Sequence, residues 1–289
     1  MSTRNNEERI GATSQDSSPL SSMQQEENTP NPTVQFSTPT EFVELPSKGR
    51  FYEEGHPLHG KETVEIRFMT AKDEDILTSQ SLLKKGIAID RMLQNVIIDK
   101  SVKVQDLLVG DKNALIVAAR VSGYGPDYDT KVSCPACGKK SDYSFDLEDI
   151  PFSGAGEGEF TADGATETEK GTFVLELPRS KVSVEVRLMR GKDEQDMIKE
   201  NKNRKRHKME EQNLTSLLKR IIVSINGSAS KSDIANFIEN MPAMDSRFIR
   251  KAYKIVTPNI DLSQEFVCES CGHEQVLEVP LTADFFWPQ

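Results

Sequence analysis

All four cysteines of the chain fall in two C-x-x-C pairs, one in KVSCPACGKK and the other in EFVCESCGHE. Two thiolates separated by two residues on a tight turn can bind the same metal ion, and a structural zinc site takes four ligands. A glycine follows each pair, and its tolerance of positive φ lets the backbone turn back after the second cysteine. Because β-rich residues flank both pairs, each is predicted to lie in a zinc-ribbon-like β-hairpin. We predict one structural Zn²⁺ site with four ligands: Cys134, Cys137, Cys268 and Cys271.

Two other interpretations of the cysteine pairs are open. A redox C-x-x-C of the thioredoxin type begins a helix, whereas strands are predicted on both sides of these pairs. Two separate metal sites are the other alternative, each completed by a histidine or by another chain. His273 is the only histidine close to a pair, and Lys139 takes its place in the first pair, so we interpret His273 as a solvated loop residue. The ligand count favours the shared site. Loop closure does not prevent it, because closing a loop of ~130 residues costs several kcal/mol at most, whereas structural zinc contributes about 10–16 kcal/mol.

An internal repeat explains the distance between the two pairs. VEIRFMTAKDEDIL (64–77) matches VEVRLMRGKDEQDM (184–197) at seven of fourteen positions. FVELPSK (42–48) likewise resembles FVLELPRSK (173–181), and five such blocks keep their order along the chain. Such self-similarity indicates an internal duplication. The sequence therefore predicts an α+β fold of two tandem homologous units, each made of a strand, helices and a zinc-ribbon-like hairpin, related by a pseudo-twofold axis.

Periodicity places the elements within each unit. VEIRFM alternates as a strand does, and the KDE triplets that follow (72–74 and 192–194) are interpreted as acidic charges at helix starts. An apolar stripe at i, i+3, i+4 and i+7 predicts an amphipathic helix over 89–98, and a second stripe predicts one from Leu214 to Ile225. Gly110 and Asp111 are predicted to cap a further helix.

Composition divides the chain into four segments. Residues 1–40 are polar and are predicted to form a disordered tail, either a featureless leader or a segment that orders on a partner. The first unit is predicted over 41–152, a Gly/Glu/Thr linker over 153–172 and the second unit over 173–289. With no apolar leader and no run long enough to span a bilayer, we expect a soluble protein made in a cytoplasm and not bound to a membrane.

Charge and motifs argue against several functions. The net charge of −10 disfavours binding to a nucleic-acid backbone. The basic run KENKNRKRHK (199–208) is interpreted as a solvated surface, with a docking patch for an acidic protein or nucleic acid as the alternative. No known catalytic motif occurs, so we predict no enzyme activity and no small-molecule substrate. Three aromatic residues near the end either fold onto the core or anchor a partner: Phe285, Phe286 and Trp287.

Several segments resemble the baseplate proteins of T-even-type contractile-tailed phages, and most closely the baseplate hub or hub-assembly family. These are FVELPSKGRFY, VEIRFMTAKDEDIL, the Lys-Lys-Gly at 84–86 and YGPDYDTKVSCPACG. The resemblance covers 41–152 and reaches the second unit through the internal repeat. The most distinctive residues, for which we predict partner binding together with the C-terminal aromatics, are Leu45, Pro46, Ser47, Lys48, Gly49 and Tyr52.

The resemblance implies a non-enzymatic structural or assembly role in the central hub of the baseplate. The partners would be other baseplate and tail proteins. The protein would act in the host cytoplasm during assembly and in the tail baseplate of the virion. The alternative is a zinc-ribbon module that binds nucleic acid, which salt-dependent DNA binding would distinguish.

Overall fold

The computed structural model describes residues 37–154, 164–210, 212–279, 281 and 283–286. The described residues from Thr38 onward form one compact unit. Nearly all of the predicted disordered tail (1–40) lies outside the described residues, and so does Trp287. Within the described part, no helix is both long and apolar enough to cross a membrane.

The fold mixes helices with small antiparallel sheets. In the first half of the described chain (37–154), the elements are β1 (Thr40–Glu44), β2 (Thr63–Arg67), α1 (Ala71–Thr78), α2 (Gln80–Lys85), α3 (Ala88–Val96), a 3-10 turn (Val104–Asp106), α4 (Val109–Tyr124), β3 (Asp127–Ser133), β4 (Lys140–Asp146) and β5 (Phe152–Ser153). β1 pairs with β2, and β3 pairs with β4. The predicted α+β class is therefore confirmed for this half.

The second half (164–286) also mixes helices with antiparallel strands, and its sheet is larger. Its elements are β6 (Ala165–Glu167), β7 (Phe173–Glu176), β8 (Ser183–Val186), α5 (Gly191–Arg206), α6 (Asn213–Ile221), β9 (Ile222–Ile225), α7 (Lys231–Asn240), α8 (Ala243–Val256), β10 (Asn259–Ile260), β11 (Ser263–Val267), β12 (Glu274–Glu278) and a 3-10 turn (Ala283–Phe286). Strands β6, β7, β8 and β9 form one sheet in that order. The short strand β10 pairs with β5 of the first half, so the two halves share a sheet.

Both halves form the same local contact where a strand leads into a helix. Arg67, at the end of β2, binds Asp73 in the first turn of α1 through two nitrogen–oxygen contacts of 2.7 and 3.0 Å. Arg187, directly after β8, binds Asp193 of α5 at 2.8 and 2.7 Å. In each case the same carboxylate also accepts the backbone N–H of the residue before its helix, from Thr70 before α1 and from Arg190 before α5. These contacts account for the two KDE triplets as helix-start charges.

One hydrophobic core spans both halves. The rings of Phe51 and Phe173 lie 5.8 Å apart across the boundary. The halves approach so closely beside α4 that a Cβ on Gly110 would lie 1.9 Å from the carbonyl oxygen of Pro258. Glycine at position 110 is therefore required by this approach, and Gly110 does not serve as a helix cap.

The structure corrects three of the expected element boundaries. The helix predicted from Leu214 to Ile225 is wrong in its last turn, because Ile222–Ile225 form β9 and pair with β8. α4 begins at Val109, with Leu108 as its N-cap, so the predicted cap at Gly110 and Asp111 is also wrong. Part of the predicted linker is ordered as β6, which pairs with β7.

Candidate metal centre

Two β-hairpins carry the cysteine pairs, as their flanking residues predict. In the first, β3 and β4 pair from Asp127 opposite Asp146 to Ser133 opposite Lys140. In the second, β11 and β12 pair from Ser263 opposite Glu278 to Val267 opposite Glu274. Each cysteine pair lies in the turn of its hairpin, directly after the first strand.

The two turns have the same backbone geometry. Cys134 N donates to Lys139 O at 2.9 Å, and Cys268 N donates to His273 O at 2.9 Å. The glycine after each pair closes the turn, since its N–H donates to the carbonyl of the first cysteine at 2.9 Å in one hairpin and 2.8 Å in the other. Gly138 has a φ of 72° and Gly272 a φ of 67°, values that favour glycine.

The four sulfur atoms form one cluster between the hairpins, lying within 4.8 Å of one another. Each close contact crosses from one hairpin to the other: Cys134 Sγ lies 3.7 Å from Cys271 Sγ, and Cys137 Sγ lies 3.8 Å from Cys268 Sγ. A disulfide bond would need about 2.05 Å, so these are four free thiols. Cys134 and Cys268 are buried, whereas Cys137 and Cys271 are exposed.

The sulfur spacing fits a tetrahedral zinc ion. With zinc–sulfur bonds of about 2.3 Å, the edges of a regular tetrahedron of sulfurs are about 3.8 Å long. The two cross-hairpin distances match that value. The donor set of four soft thiolates is also one that zinc prefers. Among the described residues this is the only such group of cysteine, histidine or acidic side chains, and His273 is not a member of it.

Local hydrogen bonds shift the pKa values of the cysteine thiols. Backbone N–H groups of Ser270 and Cys271 lower the pKa of Cys268 to about 7, whereas the pKa of Cys271, despite a hydrogen bond from His273 N–H, is raised to about 12 by burial and by the neighbouring thiols. The thiolate is the form that binds metal. A part of this ligand set is therefore available as thiolate near neutral pH.

Contacts beside the cysteines hold the two hairpins together. Tyr143 Oη donates to Glu265 O at 2.9 Å, and the Tyr143 and Phe266 rings meet edge to face with centroids 5.5 Å apart. Asp146 N donates to Gln264 Oε1 at 3.2 Å, and Gln264 Nε2 donates back to Asp146 O. The hairpins thus pack through their inner faces and leave their outer faces to solvent.

We call the LPSKG-x-x-Y segment at residues 45–52 the opening motif. Its residues were predicted to bind a partner, and most of them lie inside the fold. Leu45 and Ser47 are fully buried, and Tyr52 is 2% exposed. Pro46 and Gly49 are also buried, while Lys48 is half-buried. Partner binding by these residues stays a prediction, and burial leaves little of them for a partner to touch.

Ser47 and Tyr52 of this motif bind a buried carboxylate. Ser47 donates to Asp111 through its N–H at 2.9 Å and through its hydroxyl at 2.6 Å. Tyr52 Oη donates to the same side chain at 2.7 Å. A buried carboxylate on α4 therefore fixes the loop after β1. This contact was not predicted, because Asp111 was interpreted as part of a helix cap.

The C-terminal aromatics that the structure describes also pack inward. Phe285 and Phe286 are fully buried, and Phe285 meets Tyr128 edge to face at 5.1 Å. Arg120, 1% exposed, donates to Phe285 O at 3.0 Å. Of the two alternatives left open by the sequence, the structure places these two side chains in the core.

A partly buried ion cluster between the halves was not predicted. Lys112 on α4 lies 3.1 Å from Asp90 on α3 and also pairs with Glu194 on α5. The Gln195 side chain donates to Asp90 at 2.7 Å. Burial alone would lower the pKa of Lys112, but the two carboxylates outweigh it and raise the pKa. This cluster lines a cleft of about 870 Å³ and joins the two halves.

Comparison with known proteins gives one match. Residues 38–287 match the family model described as T4 bacteriophage base plate protein. No curated protein and no solved structure matches the chain. The matched residues include both cysteine pairs and the opening motif, and the family resemblance noted in the sequence is confirmed. The chain therefore belongs to the T4 bacteriophage base plate protein family.

Proposed function

We propose that this phage baseplate protein works in the central hub of a contractile tail, as a non-enzymatic structural or assembly protein that binds other tail proteins. Family membership supports the baseplate role, and the resemblance of the opening motif to hub proteins supports the place. The protein would act in the host cytoplasm during assembly and in the virion baseplate. A single core shared by both halves suits a rigid scaffold.

The observation that carries this proposal is the sulfur cluster that joins the two hairpins. One Zn²⁺ held by Cys134, Cys137, Cys268 and Cys271 would link the end of the first half to the end of the second. A metal bound by folded chain and not by unfolded chain adds its binding free energy to stability. The ion is proposed as a structural ligand with no part in catalysis.

The paired contacts favour an origin of the scaffold by duplication. Beyond the repeated arginine–aspartate pairs, Lys48 and Lys181 both have positive φ, 49° and 58°, in matching turns. The carboxylates of Asp111 and Asp245, on α4 and α8, each accept backbone N–H groups from those turns. Left-handed lysines are uncommon, so their recurrence in matching turns supports two homologous units. The hairpins would then be the two halves of a zinc ribbon.

Metal analysis of purified protein tests the shared site. We expect one zinc per chain in the wild type and loss of that zinc in both Cys134→Ser and Cys268→Ser, because each change removes one of four ligands from one ion. The exposed serine next to the first pair supplies a control, Ser133→Ala, which should keep its zinc. If each cysteine variant kept half of the wild-type zinc, two separate sites would replace the shared one.

A nonsense mutation in the gene tests the baseplate role. Without this protein, infected cells should accumulate tails or tail parts that lack a complete baseplate, as seen by electron microscopy. Mass spectrometry of purified wild-type particles then separates the two forms of the proposal, since a structural protein remains in the particle and an assembly factor leaves it. Normal baseplates in the nonsense mutant would contradict the proposal.

A further inference from the structure

The outer faces of the two hairpins differ in chemistry. Alternate residues of each strand point away from the metal centre, and all of them are exposed. In the first hairpin these outer residues are all polar, with both signs of charge: Asp127, Asp129, Lys131, Ser133, Lys140, Asp142, Ser144 and Asp146.

The second hairpin instead exposes two valines on this face. Val267 is 55% exposed and Val276 is 67% exposed. Val267 lies opposite Glu274, and Val276 lies opposite Glu265, so the two valines are diagonal neighbours on the same side of the sheet. Counted from the cysteines, they take the places of Ser133 and Asp142 in the first hairpin. We call the outer side of β11 and β12 the valine face.

Carboxylates surround the two valines. Glu265, Glu274 and Glu278 are exposed on the same face, and Glu269 is exposed in the turn. The segment 263–278 contains no lysine or arginine. Within the described part of the chain, no salt bridge reaches any of these four glutamates. Among the described residues, these four carboxylates therefore have no lysine or arginine partner.

We propose that the valine face is the docking surface for another baseplate protein, one that presents an aliphatic side chain surrounded by lysine or arginine. This inference rests on the proposed baseplate function. Charge complementarity sets the chemistry of the occupant, because a basic rim would neutralise the four glutamates and steer the encounter. Nucleic acid carries the wrong sign of charge for this face.

The valines would supply the centre of the contact and the glutamates its rim. Interface energy concentrates in a few central side chains that lose contact with water, and the surrounding polar residues exclude solvent and select the partner. The metal centre would hold this face in place, since Val267 directly precedes Cys268. The docking surface would then be rigid before the partner arrives.

The test is complementation of the nonsense mutant from a plasmid. Wild-type protein should restore plaques. A variant that carries Val267→Ser and Val276→Asp, the residues of the first hairpin, should not restore them, although its zinc content and thermal midpoint match wild type. The matched control places valines on the first hairpin instead, as Ser133→Val and Asp142→Val, and should restore plaques fully.

The outcomes separate the two proposals. If the nonsense mutant forms normal baseplates without a plasmid, the proposed function fails and the docking surface fails with it. If the nonsense mutant is defective but the valine-face variant restores plaques as well as wild type, the docking surface alone is overturned. Loss of plaques with folded, zinc-loaded variant protein supports the inference.

Suppressors of a charge-reversed variant identify the occupant. Glu265→Lys with Glu274→Lys should block plaque formation, and plaques that arise later should carry a lysine or arginine changed to an acidic residue in another tail protein. Suppressors on the basic end of α5 in this same chain, such as Lys202→Glu, would show that a second copy docks here and would overturn the assignment to another protein. Full activity of the charge-reversed variant would overturn the charge argument.

Discussion

Replacing Tyr52 with phenylalanine should destabilise the protein far more than the loss of one oxygen suggests. The Tyr52 hydroxyl donates to Asp111 Oδ2 at 2.7 Å and accepts from Leu108 N at 3.0 Å. The hydroxyl therefore connects the loop after β1 with the start of α4. Tyr52 is 2% exposed and Asp111 is fully buried, so water does not replace either bond in the variant.

The size of the effect follows from the two lost hydrogen bonds. Losing a hydrogen bond to a charged group costs about 1.5–3 kcal/mol, and leaving a buried N–H without an acceptor costs about 1–3 kcal/mol. Asp111 keeps the two hydrogen bonds from Ser47, which limits the loss. We expect Tyr52→Phe to lower the free energy of unfolding by about 3 kcal/mol, which lowers the thermal midpoint by about 6–12 °C for a body of this size.

Urea unfolding followed by circular dichroism measures this difference, and Tyr143→Phe is the matched control. The Tyr143 hydroxyl also donates one hydrogen bond, to Glu265 O at 2.9 Å between the hairpins, but this hydrogen bond is exposed to solvent. Water can replace that bond, so we expect the control to lose less than about 1 kcal/mol. Equal losses in the two variants would refute the reasoning that burial makes the Asp111 contacts valuable.

The pH dependence gives a second check on the same contacts. Burial raises the pKa of Asp111, and the hydrogen bonds from Ser47 and Tyr52 oppose this rise. A carboxyl whose pKa is raised in the folded state costs stability as the pH rises above its unfolded value of about 3.9. Removing the Tyr52 donor raises that pKa further. The loss in Tyr52→Phe should therefore be larger at neutral pH than near pH 4, and an equal loss at both would show that Asp111 is not the group involved.

Three further predictions follow from other contacts. Lys112→Met should lower the free energy of unfolding by about 1–3 kcal/mol because it leaves the partly buried carboxylates of Asp90 and Glu194 without their cation, whereas Lys199→Met, at an exposed pair, should change it by less than about 0.5 kcal/mol. NMR titration should find the Asp73 pKa at about 2, because the hydrogen bonds to its carboxylate, led by that from Arg67, outweigh its burial. The stability that this lowered pKa adds is present above the unfolded pKa of Asp73 and is lost as the pH falls toward 2, so the thermal midpoint should fall over that range. A zinc chelator should raise amide hydrogen exchange in β3, β4, β11 and β12 while α3 and α4 stay protected, and uniform exchange would contradict this.

The cysteine cluster was predictable from the sequence because its information is local and is repeated. Ligand type, spacing and the following glycine each point to a metal-binding turn. The repeat then supplies the second half of the ligand set, since neither turn has four ligands of its own. The distance between the two hairpins could not be predicted from the sequence, because it depends on how the rest of the fold packs.

Other features were not predictable because tertiary contacts decide them. Ile222 and Ile225 continue the apolar stripe of α6, but β-branched side chains also suit a strand, and pairing with β8 selects that conformation. Asp111 resembles a helix cap in sequence, and only the packing of the loop after β1 shows that it faces the core. The partners of Lys112 lie 22 and 82 residues away in the chain, so no local pattern reveals them.

The candidate metal centre lies outside the main hydrophobic core. Its own cluster contains three buried residues, Cys134, Phe266 and Cys268, whereas the bases of the hairpins join the main core through residues such as Tyr128 and Val279. A two-stranded hairpin is only marginally stable by itself, so four thiolates on one ion would supply the rigidity that this small cluster lacks. Ordering mobile side chains on binding costs about 0.5–1.5 kcal/mol each. A hairpin fixed by a bound ion would avoid this cost, which would give a baseplate protein a physical reason to have a metal site beside the surface proposed for docking.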